Sequence, residues 1–310
     1  MAVKNSFNQH GILLVHKPVG MSSARLVSLI KRVSGARKVG HSGTLDPFAS
    51  GLMVVGINHG TRISRFFLSG DKSYTAEIMF GTETDTLDST GVVVKNCSND
   101  FFENHEDFFL VEKLACLLKE FEGPQLQNPP VYSALKHNGV PLYKLARQGK
   151  PVQKEARRVV IHHLSLLDIK PPAITVDVGC STGTYIRSLA ADIGHRAGCG
   201  AHLSALSRTE SCGFTLGQAC TLDDLSSVES VIGALISLDD ALPDMPVYKA
   251  DESLKARIQN GISLANDSGF MKIAGELPFI KIIDADMNVI AILEYDKTKG
   301  LHNYCCVFHD

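Results

Sequence analysis

The residues best suited to chemistry fall in one short stretch, His41-Ser42-Gly43-Thr44-Leu45-Asp46-Pro47-Phe48-Ala49-Ser50-Gly51. Two glycines, a proline and several small residues bracket a single carboxylate. Glycine lets a ligand or another chain segment approach the backbone closely. Pro47 pushes Asp46 toward an extended conformation, which can hold its carboxylate in one orientation. Such a carboxylate could act as nucleophile, base or electrostatic stabiliser. The same pattern also makes an ordinary tight turn in which Asp46 bonds nearby amides, and on spacing alone that outcome is the commoner one.

The flanking elements decide what the stretch can face. Before it, Gly11–His16 is a short apolar run that reads as a strand, and Lys17-Pro18-Val19-Gly20 is turn chemistry. Ser22 or Ser23 can cap a helix with Leu26, Val27, Ile30 and Val33 on one face, ended by Gly35. Arg25 and Arg32 lie on the other face, followed by Arg37 and Lys38. After it, Leu52–Val55 reads as a buried strand. Lys72–Phe80 alternates, placing Tyr74 on the face of Ala76, Ile78 and Phe80. Ile174–Cys180 is a further strand. Thr184 is positioned to cap a helix through Ile186, Leu189 and Ile193, and Leu203–Phe214 reads as a strand with a turn.

The 310 residues suffice for two domains, and 44% hydrophobic with 21% charged residues describe a globular protein. The apolar runs are too short to span a membrane. Met1–His10 is polar without a secretory pattern, and the eight cysteines form no C-x-x-C pair, so a reduced, cytoplasmic chain without disulfides or zinc is expected. The net charge of −2 conceals segregation. Residues 1–75 carry +8, 76–130 carry −8, 131–215 carry +6, and 216–310 carry −8. Two basic blocks could form one face for a polyanion, or could be ordinary solvated charge. Asp100–Glu122 reads as an acidic helical stretch. Residues 123–158 read as a long basic loop with a short helix near Leu142–Arg147. Beyond residue 245 the texture changes to short β runs at Phe279–Ile283, Val289–Tyr295 and Tyr304–Phe308.

Several stretches together carry a resemblance. His41–Gly51 resembles the H-x-G-T-L-D-P-x-A-x-G signature of bacterial tRNA pseudouridine-55 synthases of the TruB type. His16–Ser23 resembles the family's D-K-P-x-G-x-[ST]-S segment. Lys72-Ser73-Tyr74 with Gly81–Asp88 resembles K-x-Y … G-x-x-T-D-T-x-D. Asn128–Lys136, Leu142-Tyr143 and Ala146-Arg147 resemble P-P-x-Y-S-A-L-K and L-Y-x-x-A-R, and Gly183–Leu189 resembles G-T-Y-I-R-S-L. Ala201-His202-Leu203 and Leu206 fit the last segment. The motifs run in family order over roughly residues 11–215, which is far more specific than any one of them. His16 stands where the family usually has Asp, and Ser207 where Arg is common.

The resemblance implies an α+β fold, with a mixed, largely antiparallel sheet flanked by helices. It implies a catalytic domain at 1–245 with a basic RNA-clamping insertion at 123–158, and a small β-rich PUA-like domain at 246–310. The implied reaction converts one T-loop uridine of tRNA, at position 55, to pseudouridine. The N1–C1′ bond breaks, the uracil turns, and C5 rejoins C1′, so no cofactor is required. Asp46 is then the catalytic carboxylate. It would act either by attack on C1′, with the double inversion of a retaining glycosidase, or by removal of the C2′ proton. Arg187 would keep Asp46 ionised, with a bidentate grip available to its guanidinium. Tyr74 would stack on the uracil or serve in proton transfer. His41 would fill the space left by the flipped base, Tyr185 and Leu206 would wall the pocket, and Lys17 would contact a phosphate or a loop. The implied partner is tRNA, with no membrane and no obligatory protein partner, and a monomer is expected. Two other classes fit the residues: an RNA-binding module without catalysis, and a glycoside hydrolase using Asp85 or Asp88 as its second carboxylate.

Overall fold

The computed structural model describes residues 7–98, 100–264 and 267–309. Most of Met1–His10 thus lies outside the described residues. Nine strands form the main sheet: β1 (Gly11–Lys17), β2 (Val39–His41), β3 (Ser50–Ile57), β4 (Lys72–Phe80), β5 (Gly123–Gln127), β6 (Arg157–Lys170), β7 (Ala173–Cys180), β8 (Ala201–Ser211) and β9 (Phe214–Thr215). Their order is β1-β3-β8-β4-β7-β6-β5, with β2 also paired to β3 and β9 to β8. The pairings are antiparallel except where Ser50 and Gly51 of β3 run parallel to Ser207 and Arg208 of β8. The mixed, largely antiparallel sheet expected from the sequence is therefore the one observed.

Local sequence explains the flanking helices. Ser22 caps α1 (Ser23–Ser34) by accepting from the Arg25 amide, and Gly35 closes it at φ 69°. Leu26 and Ile30 are buried on its inner face. Helix α4 (Ile186–Ala197) ends at Gly198 in the left-handed region. Its N-cap is Tyr185 and not Thr184, whose hydroxyl instead donates to the Ser181 carbonyl at 2.9 Å.

Two expectations change. The acidic stretch is broken into one turn at Phe101–Asn104 and α2 (Val111–Lys119). The cause is aromatic: Phe101 meets Phe108 at 5.9 Å, Phe108 meets Phe109 at 4.8 Å, and Phe108 sits edge-on to Phe80 at 5.1 Å. A straight helix could not fold those rings onto one another. The second change concerns residues 123–158. Gly123–Gln127 is the edge strand of the sheet, paired in register with Arg157–Ile161. Pro124 is tolerated there because an edge strand needs fewer donors. The segment outside the sheet is shorter than expected. It holds a small hairpin (Lys136–His137 with Val140–Pro141) and helix α3 (Leu142–Arg147).

The C-terminal residues build a separate sheet, β10 (Val247–Lys249), β11 (Phe279–Ile283), β12 (Val289–Asp296) and β13 (Leu301–Val307), with helices α5 (Glu252–Gln259) and α6 (Ser268–Ala274). Its own core contains Leu254, Ile258, Phe270, Ile280 and Leu293. A second apolar cluster joins it to the back of the main sheet, where Ile12, Leu14, Leu52 and Val54 meet Ile283, Val289, Ile292 and Phe308. Among the described residues, no helix is long and apolar enough to cross a membrane.

Candidate active site

The sheet topology opens a gap where the chemistry sits. One edge of β3 pairs along its length with β1. The other edge is shared: β8 takes Ser50 and Gly51, while β2 takes Val55 to Ile57. Between them the chain of residues 42–49 bulges out of the sheet. Gly51 has φ +112°, and a Cβ there would lie 2.3 Å from the Arg208 amide nitrogen, so only glycine lets β3 and β8 meet. Arg208 closes the gap from within. It is 1% exposed, and its Nε donates to the Leu52 carbonyl at 2.7 Å and its Nη2 to that of Gly43 at 3.4 Å.

Lys17 fastens the same loop. Its ammonium is fully buried and donates to the carbonyls of Pro18, Met21 and Ala49. All three protons are spent on backbone, so the phosphate contact expected of it is replaced by a structural role. Burial pulls its pKa down to about 8. Ser23, at the start of α1, accepts from the Leu45 amide and donates to the Leu45 carbonyl, both at 2.9 Å. Asp46 is thus held one residue from a double anchor.

A cavity of about 420 Å³ lies over this loop, lined by Asp46, Tyr74, Tyr185, Arg187 and Leu206 among others. Five of the seven expected site residues converge there. The two that do not are Lys17 and His41. His41 ends β2 opposite Val55, outside the cavity lining, with a buried Nδ1 that has no partner. Burial, with Arg208 nearby, lowers its pKa, so it is neutral at pH 7. His16 and Ser207, the two departures from the family pattern, also lie outside the lining.

Asp46 Oδ2 sits 2.9 Å from Arg187 Nε. The Nε–H is not aligned as a hydrogen bond, and the grip is not bidentate. The reason is that the other guanidinium nitrogens are taken: Nη1 donates to Thr86 O at 2.8 Å, Nη2 donates to Tyr132 O at 2.9 Å, and Asp88 lies 3.5 Å from Nη1. Arg187, 4% exposed, is therefore fixed by two segments, Thr86–Asp88 and Tyr132, before it meets Asp46. Burial pushes the Asp46 carboxyl above its ordinary value; Arg187 opposes the rise and Asp88 adds to it. Tyr74 is buried, and desolvation raises its phenol to about 12 although the Arg208 cation opposes this.

The cavity is also built by side chains that the sequence did not single out as site residues. Gln127, 1% exposed, clamps Tyr185 by accepting from its amide at 2.7 Å and donating to its carbonyl at 3.0 Å. The Arg157 guanidinium lies over the Tyr185 ring, 4.6 Å from its centroid. Ser133, Ala134 and Leu135 of the basic insertion form another wall. An ionisable carboxylate, a pinned guanidinium, a buried phenol and apolar flanks suit a planar, uncharged ring beside a nucleophilic oxygen.

The comparisons with known proteins agree with this geometry. Residues 31–186 match the model of the TruB family pseudouridylate synthase N-terminal domain, and 187–242 match the tRNA pseudouridylate synthase B C-terminal domain. The chain belongs to the TruB family of pseudouridylate synthases. A tRNA pseudouridine synthase B of Francisella philomiragia is 40% identical over 96% of this chain and 94% of its own. One from Syntrophotalea carbinolica is 45% identical over 76% of each chain. Among solved structures, a Cbf5-Nop10-Gar1 complex includes a chain matching at TM-score 0.66 and 26% identity, over 92% of this chain and 78% of that one. The archaeal box H/ACA Nop10-Cbf5 complex matches at TM-score 0.67 and 23% identity, over 97% and 86%, which speaks to the fold alone. The family membership makes the chain an isomerase that converts uridine to pseudouridine in tRNA, and sets aside the non-catalytic and hydrolase readings.

Proposed function

We propose that this TruB-family chain acts on uridine 55 of the T-loop with Asp46 as the attacking or proton-abstracting carboxylate. The observation that carries the reading is the Asp46–Arg187 pair at 2.9 Å on the wall of a cavity shared with Tyr74, Tyr185 and Leu206. The uridine is stacked in the folded loop and must be flipped out to reach that oxygen. Tyr74 and Leu206 flank the uracil, and Tyr185 closes the pocket from the far side. Cleavage of N1–C1′ leaves the uracil free to turn. C5 then joins C1′, the C5 proton is lost, and N1 ends protonated, so atoms balance without a cofactor.

In this reading the neutral His41 ring takes up stacking in the space the base leaves. The basic insertion grips the T-stem and loop through shape and phosphates. Residues 246–310 form an accessory RNA module of PUA type, and the protein works as a monomer in the cytoplasm. The test is incubation of the purified protein with unmodified tRNA, followed by mapping of pseudouridine. Product at position 55 from the native chain and none from Asp46→Asn supports the reading. Product elsewhere, or undiminished turnover by the variant, overturns it.

A further inference from the structure

The cavity has four cations and one half-buried carboxylate on its walls: Lys72, Arg157, Arg187 and Arg208 against Asp46. Two of the cations are committed. Arg187 is spent on Asp46, Asp88 and two carbonyls, and Arg208 is fixed against the opposite wall through Nε and Nη2 to the Leu52 and Gly43 carbonyls. The other two keep donors in reserve. The Lys72 ammonium, on a side chain of a residue 9% exposed, has a single hydrogen bond, to Gly70 O at 2.7 Å. An ammonium has three protons to give. Arg157 donates from Nη2 to the Gly183 carbonyl, and its Nε is buried without any partner.

Strand register places both on the wall of one cavity. Lys72 is the cross-strand partner of Cys180, the last residue of β7. Arg157 reaches the turn that immediately follows β7, where Gly183 has φ +89° and where its hypothetical Cβ would lie 3.5 Å from the guanidinium carbon. The Thr182 hydroxyl ties that turn to the Leu68 carbonyl at 2.8 Å. Asp71, whose charge acts on Lys72, is exposed and pairs with His162 at 3.2 Å. The cavity wall therefore holds two cations with unused donors, Arg157 at the Ser181–Thr184 turn and Lys72 beside Gly43 and Gly70.

A uridine in RNA brings its own anions: its ribose carries a phosphodiester on each side. Unsatisfied buried donors are costly, and a phosphate oxygen answers both the charge and the hydrogen-bond deficit. We propose that Lys72 and Arg157 form a phosphate subsite for one linkage flanking the flipped uridine, which sets how deep the ribose enters and so where C1′ stands relative to Asp46. The proposal rests on the reading of the cavity as the uridine site, and adds to it the residues that hold the nucleotide by its backbone. Arg157 has a second duty in the same place, since its ring contact with Tyr185 couples phosphate capture to the pocket wall.

The test is a chemical double-mutant cycle. T-stem-loop hairpins are made with one neutral methylphosphonate at a time on either side of the target uridine. Affinity and single-turnover rate are measured separately for the native chain, Lys72→Met, Arg157→Met and Arg157→Lys. At one linkage only, the native protein is expected to lose about tenfold in affinity, and Lys72→Met to lose about tenfold on the all-phosphate hairpin yet nothing further on the modified one. Arg157→Lys, which keeps the charge, is expected to lose less than Arg157→Met. Losses that multiply at every linkage, or Lys72→Met with native affinity, would overturn the subsite. Because binding is read apart from turnover, a native chain that binds but fails to modify the hairpin would count against the uridine assignment and not against the phosphate contacts.

Discussion

At the scale of single residues, the site is built around keeping one carboxylate usable. Burial raises Asp46 above its ordinary value and Arg187 only partly offsets this. Chemistry needs the anion, so single-turnover rate is expected to fall as pH drops through the raised pKa, at higher pH than a free aspartate would titrate. Asp88 is one of the causes of the rise, so Asp88→Asn is expected to move the midpoint toward lower pH; a midpoint that stays put or rises would exclude that coupling. Asp46→Asn is expected to cost about 10³-fold or more in rate while RNA affinity holds, since a carboxylate repels phosphate. Tyr74 adds a sharper distinction. With burial raising its phenol to about 12, it stays protonated at pH 7, so it serves as a neutral hydroxyl or as a ring. Tyr74→Phe is expected to slow the reaction by about 10- to 100-fold if the hydroxyl relays a proton. If only the ring matters, Phe retains activity and Tyr74→Ala loses it; native rates for both would remove Tyr74 from the chemistry.

At the scale of elements, what the sequence disclosed and what it hid follow from contact range. Asp46, Tyr74, Tyr185, Arg187 and Leu206 each sit inside a local motif, and all five line the cavity. Arg208, Gln127 and Arg157 act through strand register and a gap in the sheet, which depend on partners far along the chain, and Lys72, although inside the K-x-Y stretch, shows its unused donors only in the fold. Lys17 misled for the opposite reason: a lysine in a polar turn reads as exposed, and only the fold shows three carbonyls around its ammonium. The aromatic break near residue 105 was likewise invisible to periodicity, because Phe80 that drives it lies elsewhere in the chain. The basic insertion remains an element with its own test. Arg147 and Lys150 are exposed, and Lys154 reaches His137 at 3.3 Å. If they meet RNA phosphates, replacing all three by glutamine should flatten the log–log dependence of tRNA affinity on salt by about two to three units. An unchanged slope would place the RNA elsewhere.

At the scale of the whole molecule, the C-terminal sheet is bound to the catalytic sheet by more than a linker. Truncation near Pro246 on sequence grounds alone should leave a folded core, because every proposed catalytic residue lies upstream. The packing argues for a different outcome. Removing residues 247–310 strips the cover from Ile12, Leu14, Leu52 and Val54, all at most 3% exposed in the intact chain. It also leaves the Arg62 and Arg65 side chains without Val307 and Glu294, but those contacts are at the surface and contribute little. The apolar loss dominates, at roughly 1.5–3 kcal/mol for each large side chain returned to water. Leu14 and Leu52 belong to β1 and β3, the strands that carry Lys17 and Gly51 and so hold the Asp46 loop. The truncated chain is therefore expected to melt well below the native one, to aggregate through the uncovered face, and to lose rate on a short T-stem-loop hairpin as well as on whole tRNA. The measurements are thermal unfolding by circular dichroism, light scattering, and single-turnover rates on both substrates. A truncated protein with a native melting temperature and a native hairpin rate, weakened only toward whole tRNA, would show that the shared cluster is dispensable and that residues 247–310 serve RNA binding alone.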